Sequence, residues 1–191
     1  PKCSIRNKLK DIINKKINLN NRFIFKKNTT YLVKLNEKLN LTKDIFGKCN
    51  PKSSTGRLDI FCRTILDFSD EYEKIPLNYI GEIFLEITSR SFNIEFKKGD
   101  SLNQMRLIYY NHDYIDDESL QNFHKSDSII FDQFGNKNIA DISSGLKISV
   151  DLNKNKTSAY IAKNNAPILK FNSFRNHKVI EFWDTIKTVE G

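Results

Sequence analysis

Short segments in which apolar and polar residues alternate constrain this chain more than any other feature of its sequence. In residues 91–100 the side chains of Phe92, Ile94 and Phe96 recur at every second position, which is the periodicity of a strand with one buried face. Apolar or alternating segments of similar length lie at residues 31–35, 57–68, 79–88, 102–110, 144–152, 158–163 and 167–171. Many short strands at this spacing predict a mainly β fold, of the sandwich, barrel or jelly-roll type.

Turn signals separate the strands, and helical patterns are confined to short segments. The turn signals are Asn50-Pro51, Ile75-Pro76 and Gly99-Asp100. Residues 4–17 place isoleucine and leucine on one face, which predicts a short N-terminal amphipathic helix. Residues 115–127 begin with an acidic turn typical of a helix N-terminus, and we also predict a closing helix over residues 181–187.

Composition indicates a folded, basic protein. Hydrophobic residues make up 39% of the 191 residues, which is enough for a packed core. Lys and Arg outnumber Asp and Glu by 31 to 23, giving a net charge of +8, which suits a polyanionic partner such as a nucleotide, a nucleic acid or an anionic membrane. A general bias toward Lys, Asn and Ile explains the charge equally well. No apolar run is long enough to cross a bilayer, so no membrane association is expected.

Cysteine usage indicates a reducing compartment. Cys3, Cys49 and Cys62 are odd in number and contain no Cys-x-x-Cys pair, so we expect no disulfide framework and a cytoplasmic location. The first residue is Pro1, and the final "TVEG" does not resemble a finished terminus. We therefore expect the chain to be part of a longer protein.

Several familiar catalytic patterns are missing from the sequence. His112, His124 and His177 are scattered without metal-ligand spacing, so no metal site is predicted and the zinc signature of base deaminases is absent. The segment "KSSTGR" contains a single glycine and precedes a predicted strand, whereas a Walker loop precedes a helix. No Gly-x-Ser-x-Gly nucleophile elbow is present.

The basic turn in "NPKSSTGRL", residues 50–58, has residue types that can hold phosphate. Backbone N–H groups of a turn attract anions, serine hydroxyls donate hydrogen bonds and a lysine adds positive charge. Basic, serine-rich turns are also common as solvated loops, so both interpretations stay open on these residues alone. Arg57 likewise has Asp59 and Asp67 as candidate salt-bridge partners.

Three segments taken in order resemble a known family. They are "NPKSSTGRL" (50–58), "YIGEIFLEITSRSF" (79–92) and "GDSLNQMRL" (99–107). They are similar to the Ser-Ser-x-x-Arg-Leu, Gly-x-(apolar)-x-Leu-Glu and Gly-x-x-x-x-Gln segments of the dCTP deaminase family in the dUTPase-like superfamily, above all to its two-domain form. The likeness is specific over residues 47–107 and looser from "GLKISVDL" to "EFWDTI".

The resemblance implies an architecture and an assembly. Residues 1–125 would form a distorted jelly-roll, dUTPase-like β domain that includes the short N-terminal helix and is incomplete at its N-terminus. Residues 126–191 would begin a second, related β domain. Relatives place their active sites between β domains, usually in trimers, so the resemblance implies a homo-oligomer.

The resemblance also implies catalytic roles. Glu86 falls on the glutamate that activates water, and Ser53 and Arg57 fall where the family assists reaction at cytosine C4. The implied reaction is hydrolysis of dCTP to dUTP and ammonia. One carboxylate can carry a proton from water to the base and leaving group, so no cofactor is expected at that step. The alternation in "FLEIT" also allows Glu86 to be an ordinary surface residue beside Phe84.

Substrate contacts follow from the same likeness. Lys52 and Ser54 fall where the family holds phosphate oxygens, and Gln104 falls where it meets the triphosphate, with which Mg²⁺ is expected. Single-domain relatives carry an aspartate near the sugar where this chain has Pro76, so the sugar contact is assigned to Tyr79 or to Asn78. The segment that closes over the triphosphate in relatives is not found here.

Two other functions stay open. A dUTPase would cleave the phosphate chain of dUTP instead of deaminating dCTP. A non-catalytic β module would bind a nucleotide or nucleic acid through its basic surface and release no ammonia. The position of Glu86 between two basic motifs favours the deaminase and argues against nucleic acid as the partner.

Overall fold

Strands far outweigh helices among the described residues of the chain, which confirms the predicted mainly β fold class. The computed structural model describes residues 3–10, 17–18, 21–109, 115–132, 134–149, 157–173 and 176–187. The helices are α1 (Ile5–Leu9), α2 (Ser53–Arg57), α3 (Asp117–Ser126) and α4 (Val179–Phe182). The strands are β1 (Phe23–Phe25), β2 (Thr30–Asn40), β3 (Ile45–Pro51), β4 (Ile60–Leu66), β5 (Lys74–Ile75), β6 (Ile80–Ser89), β7 (Ile94–Phe96), β8 (Asn103–Tyr109), β9 (Asp141–Ile142), β10 (Leu146–Lys147), β11 (Thr157–Ala162), β12 (Leu169–Lys170) and β13 (Trp183–Lys187).

The chain divides into two compact units, the first formed by residues 1–110 and 159–186 and the second by residues 111–158 and 187–191. Three three-stranded sheets lie in the first unit, in the orders β2-β6-β4, β5-β3-β8 and β1-β7-β12, and most of the two-stranded sheet β11-β13 lies there too. Strand β6 pairs antiparallel with β2 and β4, and β3 pairs antiparallel with β5 and β8. Strand β12 is the exception, because it pairs parallel with β7.

The core of the first unit forms where alternating residues of β4 and β6 face inward. Both strands bury every second side chain over most of their length, so the opposite face of the β2-β6-β4 sheet carries the polar residues between them. Aromatic rings bind the C-terminal segment to this core, since Phe92 lies edge-on at 5.3 Å from Phe182 and 5.0 Å from Trp183. Burying a ring such as that of Phe92 contributes about 1.5–3 kcal/mol to stability.

In the second unit a capped helix is fastened to a small hairpin. Asp116 caps α3 by accepting a hydrogen bond from the Ser119 N–H at 2.7 Å, which satisfies one of the free donors of the first turn. The carboxylate of Asp117 accepts from the N–H groups of Ser144 and Gly145, at 2.6 and 2.8 Å, in the turn between β9 and β10. The helix predicted over residues 115–127 is therefore confirmed.

Other predicted elements differ from the structure. The helix predicted over residues 181–187 is wrong, because α4 ends at Phe182 and the chain continues as β13, which pairs with β11. Here a neighbouring strand overrides local propensity. The N-terminal helix is confirmed over Ile5–Leu9, while residues 11–16 lie outside the described residues. Of the strand predicted over residues 144–152, only Leu146–Lys147 is a strand, and residues 150–152 lie outside the described residues.

Strand β3 was not predicted, since "IFGKCNP" contains glycine and proline and does not alternate. It forms because β5 and β8 pair with it on both sides. Gly47 suits this position, because a Cβ there would lie 3.0 Å from Cδ1 of Ile75 on the neighbouring strand.

The three cysteines are free thiols. Burial, helped by the negative charge of Glu73, raises the pKa of Cys62 to about 12, and burial also raises the pKa of Cys49. Both thiols therefore stay protonated at neutral pH. Among the described helices, none combines the length and the apolar character needed to cross a membrane.

Candidate active site

The predicted basic turn is a single turn of helix, α2, between β3 and β4. Lys52 precedes it in an extended conformation, and the Lys52 carbonyl accepts hydrogen bonds from the N–H groups of Thr55 at 2.9 Å and Gly56 at 3.0 Å. The helix ends where Asp59 adopts a φ of 54°, a left-handed conformation that aspartate tolerates better than most residues. The sequence motif thus becomes a short, bounded structure with Ser53 at its first position and Arg57 at its last.

Two hydrogen bonds to one carbonyl fasten α2 to the neighbouring chain. The Lys52 N–H donates to the Leu102 carbonyl at 2.9 Å, and the hydroxyl of Thr55 donates to the same oxygen at 2.7 Å. Thr55 is fully buried. The position of α2 is therefore set by the start of β8 as well as by its own chain neighbours.

Gln104 lies at the same end of the sheet as α2. In the β3–β8 ladder Asn50 pairs with Gln104 and Pro51 pairs with Asn103, so the exposed Gln104 is close to the chain that enters α2. Gly99, which has a φ of 90°, makes the turn before β8, as the sequence predicted. The structure thus brings together the segment of Lys52 and Ser54 and the strand of Gln104; their predicted contacts with phosphate stay predictions.

Arg57 is exposed, and its candidate partners are occupied by other groups. A carboxylate oxygen of Asp59 accepts from the Ser91 hydroxyl at 2.6 Å, and one of Asp67 accepts from the Ile5 N–H at 2.7 Å. Within the described ranges, no ion pair involves Arg57. Its guanidinium group is therefore available to a ligand or to another copy of the chain.

Glu86 lies in the middle of β6, on the sheet face opposite the core. Its side chain is 20% exposed, and its Oε1 accepts a hydrogen bond from Nη2 of Arg63 at 2.7 Å. Its cross-strand neighbours are Leu32 on β2 and Arg63 on β4. Glu86 shares this face with Phe84, as the alternation in "FLEIT" allowed, but it is half-buried and held by an arginine.

Arg63 is a residue of this site that sequence reasoning did not identify. Its guanidinium carbon lies 3.8 Å from the ring centroid of Tyr72 and 4.7 Å from that of Phe61, distances at which a cation is attracted to an aromatic face. The available signal was an arginine alternating with apolar residues in "IFCRTIL". Its partner depends on strand register, which the sequence did not specify.

The α2 segment and Glu86 form two separate parts of the chain's surface. On β4, Ile60 pairs with Ser89 and Arg63 pairs with Glu86. These positions are separated by three residues of strand, or about 10 Å at 3.3 Å per residue, and α2 ends at Arg57, before β4 begins at Ile60. Among the described residues, Glu86 makes no hydrogen bond or ion pair with Ser53 or Arg57.

Tyr79 is a buried residue of the second core cluster, which also contains Cys49, Leu66, Ile75 and Ile83. Its hydroxyl donates to the backbone carbonyl of Glu82 at 2.5 Å, and burial raises the pKa of the phenol. Asn78, by contrast, is exposed, with a φ of 59° in the turn before β6. The predicted sugar contact of Tyr79 stays a prediction, and of the two candidates Asn78 is the one at the surface.

A cavity of about 550 Å³ lies on the other side of β6 from Glu86. Inward-facing residues Ile83, Leu85 and Ile87 line its floor, and Gly99 and Gln104 lie along its wall. The lining of the cavity is mainly apolar. It includes Gln104 but not Glu86, Ser53 or Arg57.

Comparisons with known proteins agree with the motifs and with the fold. A family model described as the 2′-deoxycytidine 5′-triphosphate deaminase N-terminal domain matches residues 1–111, and the C-terminal domain model of the same enzyme matches residues 116–191. The structure is similar to a crystal structure of 2′-deoxycytidine 5′-triphosphate deaminase from Agrobacterium tumefaciens, with a TM-score of 0.84 and 28% sequence identity.

That match covers 100% of this chain and 54% of the Agrobacterium chain, so the chain spans about half the length of this relative. No curated protein matched the sequence. The two family models meet between residues 111 and 116. The domain boundary that we predict near residue 126 stays a prediction. Because both family models match the sequence and the fold is similar to that of a member, the chain belongs to the 2′-deoxycytidine 5′-triphosphate deaminase family.

Proposed function

We propose that this protein hydrolyses dCTP to dUTP and ammonia, with Glu86 as the group that activates water. The observation that carries the proposal is a half-buried carboxylate, held on one side by Arg63, in a chain of the deaminase family. A carboxylate in such a position can take a proton from water and return it later in the same reaction.

In the proposed mechanism Glu86 removes a proton from water while the water oxygen bonds to C4 of cytosine. The carboxylic acid formed then delivers this proton to the ring nitrogen. A second proton moves from the added oxygen to the amino group through the same carboxylate, the C4–N bond breaks and ammonia leaves. The Ser53 hydroxyl and the Arg57 guanidinium orient the water and stabilise the charge that develops on the base.

We further propose that each active site is built by two copies of the chain in a homo-oligomer, most simply a trimer. The reason is the separation between Glu86 and α2 within one copy, since a hydroxyl and a guanidinium must lie within hydrogen-bonding distance of the reacting base. The exposed Arg57 has no described partner in its own chain, which suits a group that serves a neighbouring copy.

In the same proposal the substrate's triphosphate is held by the Lys52 ammonium group, the Ser54 hydroxyl and the Gln104 amide. Charge and hydrogen-bond donors are the requirements for binding phosphate oxygens. Mg²⁺ enters bound to the triphosphate, as part of the substrate. These groups are expected to determine affinity for the nucleotide more than the rate of the chemical step.

The test is to incubate the full chain separately with dCTP and with dUTP in the presence of Mg²⁺, and to measure ammonia and pyrophosphate. Ammonia from dCTP without pyrophosphate supports the proposal. Pyrophosphate from dUTP without ammonia from dCTP would instead identify a dUTPase. No turnover of either nucleotide, with salt-sensitive binding to DNA or RNA, would identify a binding module.

A further inference from the structure

We infer that Arg63 is a positioning residue, which holds the Glu86 carboxylate in the orientation needed to activate water. This inference rests on the proposed function, because it assigns Arg63 a part in the same reaction. Arg63 acts through Glu86 and is not placed in contact with substrate.

Arg63 and Glu86 are joined by a single hydrogen bond. Nη2 of Arg63 donates to Oε1 of Glu86 at 2.7 Å, and in the described part of the chain no donor contacts Oε2. A charge-assisted hydrogen bond to one oxygen is short and strong, and it restricts where that oxygen can lie. The second oxygen remains free to accept a proton from water.

Two aromatic rings limit the motion of the guanidinium group. Its carbon lies 3.8 Å from the centroid of Tyr72 and 4.7 Å from that of Phe61. A planar cation packed on aromatic rings loses less freedom when it binds a carboxylate, because its orientation is already restricted. The Nε of Arg63 is buried and has no partner among the described residues.

The loop that supplies Tyr72 is itself anchored, through Glu73. Oε1 of Glu73 accepts from the Thr64 N–H at 3.1 Å, and Oε2 accepts from the Asn103 side-chain amide at 3.4 Å. The Glu73 N–H donates to the Thr64 carbonyl at 3.2 Å. Glu73 also has a φ of 60°, an uncommon conformation that this set of bonds maintains. The loop is therefore anchored to β4 and β8 at the residue next to Tyr72, whose ring lies against Arg63.

The experiment is to measure kcat and KM for dCTP in Arg63→Ala, with and without added guanidinium chloride. We expect kcat to fall about 10- to 100-fold, the cost of a misoriented catalytic group, with little change in KM. Guanidinium ion at millimolar concentration is expected to restore much of kcat, since it can occupy the space that the Arg63 guanidinium leaves beside the two rings. Sodium chloride at the same concentration is expected to have no such effect, and neither salt should restore Glu86→Gln.

A matched control is Arg22→Ala, which removes a surface arginine that also pairs with a glutamate, Glu95, at 2.9 Å. Its kcat is expected to match the wild type. If Arg63→Ala does not fold, Arg63→Lys provides the second test. A lysine keeps the charge but loses the planar group, so a lower kcat at unchanged KM and unchanged melting temperature is expected.

Three results would overturn the inference: a kcat in the Arg63 variant within about twofold of the wild type, a loss that guanidinium does not restore, or a loss confined to KM. Failure of the inference and failure of the proposed function are distinguishable. A wild-type chain that releases no ammonia from dCTP removes both. An active wild type with an unaffected Arg63 variant removes only the role of Arg63.

Discussion

Glu82 and Glu86 lie on the same face of β6 and are buried to a similar degree, with side chains 17% and 20% exposed. Glu82 is surrounded by three cations: Arg6 at 2.7 Å, Lys34 at 2.7 Å and Lys38 at 3.7 Å. Glu86 contacts one cation among the described residues, Arg63, which packs against the rings of Phe61 and Tyr72. The same residue type on one strand therefore has two different surroundings.

The difference separates a structural carboxylate from a candidate catalytic one. Hydrogen bonds from Lys34 and Arg6 lower the pKa of Glu82 to about 2, so Glu82 stays ionised at neutral pH and is unsuited to hold a proton during a reaction. Its contacts join α1 and β2 to β6. Glu86, with one partner and one free oxygen, has the freedom that a general base requires. Neighbouring side chains, more than burial, distinguish the two.

The largest expected effect is on turnover in a pair of matched variants. Glu86→Gln is expected to lower ammonia release from dCTP about 10²- to 10⁴-fold, the usual contribution of a general acid–base group, while nucleotide binding survives. Glu82→Gln is expected to keep kcat within about twofold of the wild type. Steady-state ammonia assays and calorimetric titration with dCTP would measure both. An active Glu86→Gln enzyme, or an inactive Glu82→Gln enzyme that folds normally, would contradict the comparison.

The next effect tests whether Glu86 works with α2 of another copy. Arg57→Ala and Glu86→Gln are each expected to lose about 10²-fold or more in kcat alone. When the two variants are coexpressed with different tags and purified through both tags, activity should recover well above either variant. Recovery is expected because some interfaces then pair an intact Arg57 with an intact Glu86. Mixed oligomers as inactive as the single variants would indicate that both groups act within one chain.

A smaller effect is expected at Tyr79, whose hydroxyl supports the Glu82 end of β6 through the Glu82 carbonyl. Tyr79→Phe removes that hydrogen bond and should lower the free energy of unfolding by about 1 kcal/mol. If the hydroxyl serves only this contact, KM for dCTP stays unchanged. Urea unfolding and steady-state kinetics on the same preparation would measure the two quantities. A raised KM at unchanged stability would instead support the sugar contact predicted from the sequence.

The smallest effect is the pH dependence that Glu82 gives to stability. Because its pKa in the folded protein is lowered from 4.5 to about 2, its contribution is fully present above about pH 4.5. It is lost progressively as the pH falls toward 2. The difference in urea midpoint between wild type and Glu82→Gln should therefore shrink over this interval. A difference that stays constant from pH 6 to pH 2 would show that these ion pairs do not stabilise the fold.

Strand alternation and three short motifs were sufficient to predict the fold class, the family and most strands of the first unit. These features are local, because the side chains on the buried face of a strand come from every second residue of the sequence. Strands that form only because neighbouring strands pair with them could not be predicted from such local features. Strand β3 forms between two neighbours despite Gly47 and Pro51, and residues 183–187 form a strand beside β11 instead of a helix.

For the candidate site, the sequence by itself determined which residue types are available, including Ser53, Arg57 and Glu86, and that a short basic segment precedes a strand. Only the tertiary structure decided that Arg63 lies opposite Glu86, that Tyr72 packs on Arg63 and that Tyr79 turns its hydroxyl inward. The physical reason is that these relations depend on strand register and on loop anchoring. Both are determined by contacts between residues far apart in the chain, and a reading of local periodicity contains no information about them.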